Sequence, residues 1–317
     1  MTAAGALSQA FYILVFPGFL FLAVFSMVME YVDRKLHAKL QNRVGPPWFQ
    51  PFADFIKLAA KEEIVPRDAD STIFKHMPVV ALTSTVTALF YIPVWSTSAP
   101  CRFEGDMIVT LYFLTIPTVT FFLAGWYSRS VFSMLGAARA ILQMFAYEIP
   151  LFLSILAPAL LANTWSMSSL TEYYRVHPLH ILFNLPGFAI ALVALLGKLE
   201  RVPFDIPEAE TEIVAGSFTE YSGRFLALFR LTVNVEAIVG ATLLAAVFMP
   251  FGLGHGPAIG FAGYLVKVLL IVVLLAIART VLARLRIDQM INFCWQIAAP
   301  IAFLQVLVNL VVKEILM

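Results

Sequence analysis

Residues 198–224 read KLERVPFDIPEAETEIVAGSFTEYSGR and lie between two long apolar runs, about 179–199 and 226–250. This connection carries six carboxylates, although only 13% of the 317 residues are charged. The six acids are Glu200, Asp205, Glu208, Glu210, Glu212 and Glu220. A connection between apolar runs does not need so many acids to stay soluble. Their clustering therefore indicates either ion handling or a docking surface for a soluble partner.

The composition is that of an integral membrane protein, with 61% hydrophobic residues and a mean hydropathy of +0.86. A bilayer core about 30 Å thick needs roughly 20 apolar residues per helix. The chain offers such lengths at about 10–30, 77–96, 107–126, 141–162, 179–199, 226–250, 259–282 and 296–315. The runs lack the alternation of membrane barrels. The sequence therefore predicts an all-α membrane protein with about eight transmembrane helices in one domain, 1–317.

The basic residues predict the orientation. Of the 21 Lys and Arg residues, 16 fall in or beside alternate connections, and these connections face the cytoplasm by the positive-inside rule. They are 31–76, 127–140, 200–225 and 283–295. We therefore predict a multi-pass protein of the cytoplasmic membrane with both termini on the outer face. Cys101 and Cys294 then lie on opposite sides and do not form a disulfide.

Within the first connection, residues 51–63 (PFADFIKLAAKEE) show helical periodicity. Phe52 and Phe55 share one face, and Asp54 and Lys57 turn away from it. The pattern predicts a short amphipathic helix along the cytoplasmic interface. A surface anchor with no further role is an equal alternative.

Glu148 lies inside the run 141–162 without a basic neighbour in sequence. A carboxylate at the bilayer centre costs roughly 2.5–3.5 kcal/mol on insertion scales. We therefore expect Glu148 to face a cavity or a partner and to exchange protons. The alternative is that it is hydrated near the interface.

Three further charges fall within the predicted spans: Arg230, Glu236 and Lys267. Depth favours a Glu236–Lys267 pair across adjacent helices. Such a pair has either a structural role or a role in proton transfer. In the acidic connection, a helix starting after Pro207 would put Glu208 and Glu212 on one face and point Glu210 elsewhere.

Motifs for cofactor binding are missing from the sequence. Neither cysteine belongs to a CxxC, no histidine pair lies within a span, and the HxxH of His177 and His180 is typical of chance. Phosphate-cradling glycine motifs and nucleophile triads are also missing. We therefore predict that this chain alone binds no metal, haem, flavin or iron–sulfur cluster, and a net charge of +1 gives no reason to expect nucleic acid.

Four segments together resemble one family, subunit 1 (also called the H subunit) of respiratory complex I and its relatives in group 4 membrane-bound nickel–iron hydrogenases. They are DRKLHAKLQNRVGPPWFQPFADFIKLAAKE (33–62), GAARAILQMFAYEIP (136–150), ERVPFDIPEAETEIVAGSFTEYSG (200–223) and RTVLARLRIDQMINFCWQIAAP (279–300). The resemblance implies a tilted eight-span bundle that joins a hydrophilic redox arm to an ion-pumping membrane arm. It also implies partners: an iron–sulfur small subunit, a hydrogenase-like large subunit and antiporter-like membrane subunits. Iron–sulfur clusters, and a nickel–iron centre, would belong to those partners.

The resemblance also assigns residues. A proton path would use the acids of the connection (Glu200, Asp205, Glu208, Glu210, Glu212 and Glu220) with Glu148, and the other intramembrane candidates are Glu236 and Lys267. A chamber or interface would use Arg34, Asp54, Lys57, Arg139, Arg201, Arg286, Asp288 and Gln289.

Two departures favour the hydrogenase branch. The first connection is compact at GPPWFQP (45–51), where quinone-reducing enzymes usually carry several more residues. The family's acidic slot in the sixth span falls near Val233, and Glu236 lies one turn further on. A quinone-site subunit of complex I is the alternative. A stand-alone secondary transporter is a third hypothesis, from another class, although no inverted repeat is visible in the sequence.

Overall fold

Every regular element in the described part of the chain is helical, which confirms the prediction of an all-α membrane protein. The computed structural model describes residues 11–251 and 256–316. The side chain of Glu210, one of the predicted site residues, lies outside this description.

The α-helices have the following bounds. They are α1 (Phe19–Leu40), α2 (Gln50–Ala59), α3 (Ser71–Leu89), α4 (Asp106–Tyr127), α5 (Val131–Ala162), α6 (Met167–Val176), α7 (Leu185–Lys198), α8 (Glu210–Ile213), α9 (Gly223–Phe248), α10 (Pro257–Val281), α11 (Ile287–Phe293) and α12 (Ala299–Leu316). Short 3₁₀ turns cover Pro178–Asn184 and Gly216–Phe218, and a π-helical turn, Cys294–Ala298, joins α11 to α12.

Within the described residues, seven helical segments are long and apolar enough to cross a membrane. The predicted second span, 77–96, corresponds to α3, which is not among the seven. Its first two turns carry Lys75 and His76, which lower the hydropathy of this 19-residue helix. α3 instead packs along α4 and α9. Its start is fixed by Asp70, whose carboxylate accepts hydrogen bonds from the backbone amides of Thr72 and Ile73.

α9 is the central helix of the bundle. It packs against α1, α2, α3, α7 and α10, and every residue from Val235 to Phe248 is buried. A helix that is apolar all round is stable only when neighbours surround it. Gly240 allows the closest of these approaches, because a Cβ there would lie 2.5 Å from Leu195 Cδ1 on α7. Glu236, which lies in this stretch of α9, is therefore held inside the protein.

The predicted amphipathic helix is α2, which begins at Gln50 and ends at Ala59. Phe52 and Phe55 pack against the bundle core, whereas Ile56 remains 65% exposed. The polar face carries Asp54 and Lys57, and it borders a cavity. α2 is thus a wall of the bundle, packed on α1 and α9.

Candidate functional site

A cavity of about 560 Å³ lies where α1, α2, α9 and α10 meet the acidic connection. Of the 22 described residues that line it, twelve are charged, six of each sign. The acids are Glu30, Asp33, Asp54, Glu200, Asp205 and Glu208, and the bases are Arg34, Lys57, Lys61, Arg201, Arg230 and Arg279. Opposite charges that share one cavity stabilise each other's ionised forms and like charges destabilise them, so a change of charge at one group affects the others.

Asp33 anchors the buried end of the cavity. Its side chain is 3% exposed, and its Oδ2 accepts hydrogen bonds from Arg201 and Arg279, each at 3.1 Å. Its Oδ1 accepts no hydrogen bond from any described residue. Removing one member of a buried ion pair leaves the other charge buried and unpaired, which is destabilising. Asp33 therefore joins α1, α10 and the acidic connection through charge.

A second group of contacts ties α1 to α2 and α9. Arg34 pairs with Glu30 one turn earlier on α1, and it lies 3.1 Å from Asp54 on α2. Asn234 on α9 donates from Nδ2 to Glu30 at 2.5 Å. These contacts form the polar wall that faces Glu200 and Glu208.

The acidic connection is held in one shape by contacts to its backbone. Gln143 on α5 donates from Nε2 to the carbonyl of Phe204 at 2.9 Å, and Arg284 donates to the carbonyl of Asp205 at 2.9 Å. Gly216 has a positive φ of 52°, and a Cβ there would lie 1.8 Å from the carbonyl oxygen of Pro207. The backbone of the acidic connection is therefore fixed in one conformation, and the connection forms one wall of the cavity.

The acids of the connection divide into two groups. Glu208 lines the cavity and pairs with Arg230 at 2.8 Å. Glu212 is exposed and pairs with Arg139 at 2.7 Å and Arg284 at 3.2 Å. The hydrogen bond from Arg139, followed by the charge of Arg284, lowers the pKa of Glu212. The prediction that Glu208 and Glu212 share a face is wrong, because α8 begins only at Glu210 and the residues before it are not helical.

Glu200 is the acid of the connection nearest to the membrane span that precedes it. It lines the cavity, and its exposed part faces that space. Burial raises the pKa of Glu200 well above its ordinary value, and the charges of Glu208 and Glu236 raise it further. Asp205 acts in the same direction, and Arg230 opposes it. Glu200 therefore binds a proton more readily than an ordinary glutamate does, and its pKa depends on the charge of a carboxylate on α9, Glu236.

That carboxylate belongs to a buried ion pair. Lys198 Nζ lies 2.8 Å from Glu236 Oε1, and the two side chains are 2% and 1% exposed. Lys198 donates a hydrogen bond to the carbonyl of Leu114, in the turn before Pro117 of α4. The ammonium is at hydrogen-bond distance from Oε1, and Oε2 of Glu236 accepts no hydrogen bond from any described residue. Glu236 therefore has one charged partner, Lys198, and one carboxylate oxygen without a partner among the described residues.

The predicted Glu236–Lys267 pair is wrong. Position in the sequence places both residues at similar depth, but depth does not specify which helix face each occupies. Glu236 faces α7 and meets Lys198, whereas the Lys267 ammonium lies 5.3 Å from the ring centroid of Phe251. Among the described residues, Lys267 has no acidic partner, and it is 7% exposed.

Glu148 is half-buried on α5, beside Tyr147. Its charge interacts with that of Lys198, but none of the described side chains forms an ion pair or hydrogen bond with it.

Metal-binding clusters are also absent: the described residues contain no group of three His, Cys, Asp or Glu able to hold an ion.

Comparison with known proteins places the chain in a family. The family model described as NADH dehydrogenase matches residues 12–310. The H subunit of NADH-quinone oxidoreductase from Carboxydothermus hydrogenoformans is 32% identical over 91% of this chain and 85% of its own length. Its counterpart from Dehalococcoides mccartyi is 35% identical over 95% of this chain and 84% of its own length. The chain belongs to the NADH dehydrogenase family, with these H subunits. The resemblance to subunit 1 of complex I is confirmed.

A solved structure shares the fold. A chain of the membrane-bound sulfane sulfur reductase, an archaeal respiratory membrane complex, aligns with a TM-score of 0.81. The alignment covers 92% of this chain and 96% of that chain at 24% identity. At that identity the likeness speaks for the arrangement of helices alone.

Within this fold, some of the predicted site residues line the cavity and the others lie outside it. Glu200, Asp205, Glu208, Arg34, Asp54, Lys57 and Arg201 line the cavity. Arg139 lies outside its wall with Glu212. Glu220 is half-buried away from the cavity, and Arg286, Asp288 and Gln289 are exposed around the start of α11, where Gln289 accepts a hydrogen bond from the amide of Arg286.

Six charged members of the site were not among the predicted site residues: Glu30, Asp33, Lys61, Lys198, Arg230 and Arg279. A signal existed for the first two, since Glu30, Asp33 and Arg34 recur at helical spacing at the end of an apolar run. Lys198 looked like an ordinary flanking base at a membrane interface, and only the packing of α7 against α9 buries it.

Proposed function

We propose that this chain is the membrane subunit of a complex I-like complex that couples electron transfer in a hydrophilic arm to proton translocation through the membrane arm. The observation that carries the proposal is the electrostatic interaction between an acid that lines the charged cavity, Glu200, and the buried Lys198–Glu236 pair. Glu200 lines the cavity, and its pKa responds to the charge of Glu236.

The arrangement suits proton transfer for a physical reason. A buried carboxylate that has a single charged partner changes its protonation state when nearby charge changes. A redox reaction at the mouth of the cavity would alter that charge. The six acids and six bases of the cavity interact with one another, so the change of charge would alter their protonation. Through the cavity acids it would then alter the protonation of Glu236 and Glu148.

The redox centres belong to partner subunits in this proposal. We propose an iron–sulfur small subunit and a large subunit on the cavity side, and antiporter-like subunits in the membrane. The exposed Glu212 with its two arginines supplies a charged surface on the cavity side. With both termini on the outer face, residues introduced at position 205 would be labelled only from the cytoplasm.

We favour a hydrogenase or hydrogenase-like complex over a quinone reductase. The first connection is compact between Gly45 and Pro51, and charged residues make up twelve of the 22 that line the cavity. A quinone needs an apolar wall for its tail. One observation supports the quinone alternative: about 560 Å³ with Phe55, Leu58 and Leu231 in the wall is a typical ligand volume.

Purification of the tagged chain from its native membrane tests the assembly. We expect iron–sulfur and large antiporter-like subunits to come with it, and a nickel-ligating large subunit in the hydrogenase branch. A chain that purifies alone and transports a solute by itself would contradict the proposal in favour of a transporter. Quinone-dependent activity without nickel would support the quinone alternative.

The ion path is tested separately with Glu236→Gln. We expect the complex to assemble and transfer electrons, while redox-driven proton uptake by vesicles falls to near background. Glu172→Gln, at the exposed Arg175–Glu172 pair, is the matched control and should leave uptake unchanged. Normal uptake with Gln at 236 would remove Glu236 from the path.

A further inference from the structure

Lys198 is the last residue of α7, and its ammonium lies at the meeting point of four helices. It approaches Glu236 on α9, donates to the Leu114 carbonyl on α4, and lies 5.9 Å from the ring centroid of Tyr147 on α5. With 2% exposure it has no route to snorkel into water. Its charge must therefore be balanced within the protein.

The balance is incomplete at Glu236. Oε1 of the carboxylate has the ammonium 2.8 Å away, whereas Oε2 accepts no hydrogen bond from any described donor. A buried carboxylate held only by one charge depends on that charge for its ionised state. Whether Glu236 is a carboxylate or a carboxylic acid is therefore decided by where Lys198 directs its charge.

A second carboxylate follows Tyr147, whose ring centroid lies 5.9 Å from the same ammonium. Glu148 follows Tyr147 on α5, is half-buried, and interacts electrostatically with Lys198. The flexible four-carbon stem of lysine can redirect its ammonium between two acceptors, which the planar guanidinium of arginine does less readily. The hydroxyl of Tyr147 is engaged with Thr118 at 3.0 Å and does not compete.

We propose that Lys198 is a positioning residue that keeps Glu236 ionised until a proton arrives from the cavity, and then pairs with Glu148. This inference rests on the proposed function and deepens it. In the step, an O–H bond of a cavity carboxyl group such as Glu200 breaks, and an O–H bond forms on Glu236. Lys198 keeps its three protons throughout, and no electron enters this chain.

The test uses the assembled complex in vesicles with three variants: Lys198→Met, Lys198→Arg and Glu236→Gln. Redox-driven proton uptake is measured per electron transferred. The infrared band of protonated Glu236 is measured at neutral pH, and it is identified as the carboxyl band that Lys198→Met shows and that the combination of Lys198→Met with Glu236→Gln lacks. A purely structural lysine would leave that band unchanged.

We expect Lys198→Met to lose uptake and to show Glu236 protonated at neutral pH, because the carboxylate has lost its counter-charge. Lys198→Arg keeps the charge, so Glu236 should stay ionised, and uptake should fall only in part. An unchanged infrared band in Lys198→Met, or normal uptake in that variant while Glu236→Gln abolishes it, would overturn the inference.

A second variant covers failure to assemble. Lys198→Met combined with Glu236→Met replaces the pair by apolar side chains, which buried pairs commonly tolerate. We expect this complex to assemble and to show uptake as low as Glu236→Gln alone. Normal uptake in the double variant would contradict the inference. If Glu236→Gln itself pumps normally, the proposed path fails, while the infrared result still judges the role of Lys198.

Discussion

Two buried polar clusters lie at opposite ends of the membrane bundle and are built from different chemistry. Near the cavity, Lys198 and Glu236 carry full charges and few directed hydrogen bonds. At the far end, an amide network formed by Tyr174, Asn184, Gln305 and Asn309 is neutral.

Asn184, Gln305 and Asn309 each donate a hydrogen bond from the side-chain amide, whereas Gln305 Oε1 and Asn309 Oδ1 accept none from any described residue. Asn184 Oδ1 accepts from Asn309 at 2.7 Å and from Gln305 at 3.1 Å. Asn184 also donates to the Tyr174 hydroxyl at 2.9 Å, and that hydroxyl donates to the carbonyl of Pro158 at 2.9 Å. Such a network joins α5, α6, the 3₁₀ turn before α7, and α12, and it has no charge to change.

The comparison separates two uses of buried polarity. A neutral group with its hydrogen bonds made is costly to disturb and therefore fixes the packing of helices. A buried charge with loose geometry stays sensitive to its neighbours and can therefore change protonation state. The first kind of cluster should govern stability, and the second should govern coupling.

Apart from substitutions at Lys198 and Glu236, the largest effect on coupling is expected for Glu148→Gln. The substitution keeps size and hydrogen bonding but removes the titratable proton. Redox-driven proton uptake should fall strongly, with subunit composition on a native gel unchanged. Normal uptake would mean that Glu148 is simply hydrated.

Asn184→Leu should have the opposite effect: it should lower stability and leave coupling unchanged. It removes the shared acceptor of Gln305 and Asn309 and leaves buried donors unpaired, which should lower the free energy of unfolding by roughly 3 kcal/mol. The melting temperature of the purified complex should fall, while protons taken up per electron stay constant. Lys313→Met, which breaks an exposed bond to Asn163, is the control and should melt as the wild type does. A loss of coupling at unchanged stability would erase the distinction between the clusters.

Glu200→Gln should change the pH dependence of stability. The folded pKa of Glu200 is raised, so its contribution to stability is fully present below the unfolded pKa of about 4.3. That contribution is lost as the pH rises through the folded pKa. The wild type should therefore lose stability relative to Glu200→Gln as the pH rises across this window. Parallel melting curves from acid to neutral pH would show that Glu200 does not titrate in this way.

The smallest effect is expected for Glu212→Gln. Glu212 is exposed, and solvent screens its contacts with Arg139 and Arg284. Uptake should be unchanged, and retention of the hydrophilic arm in salt should fall only slightly. Glu212→Lys reverses the charge and should loosen the arm more. If neither variant alters retention, the surface around Glu212 is merely solvated.

Sequence alone determined the class and family of this protein. Apolar length against bilayer thickness predicts membrane helices wherever a run is long and uniform, as in the segment that became α9. It is less informative where polar residues begin a helix, and α3 therefore differs from the predicted span. The clustered acids of 200–220 also marked one wall of the cavity, because charge density between apolar runs is visible without a structure.

The tertiary structure alone decided which charges meet. Depth along a helix follows from residue number, but the face that a side chain occupies depends on how neighbouring helices pack. For this reason Glu236 meets Lys198 and not Lys267, and Asp33 meets Arg201 and Arg279 from distant parts of the chain. The burial of Lys198 has the same origin, since α9 covers the end of α7 and shields its ammonium from water.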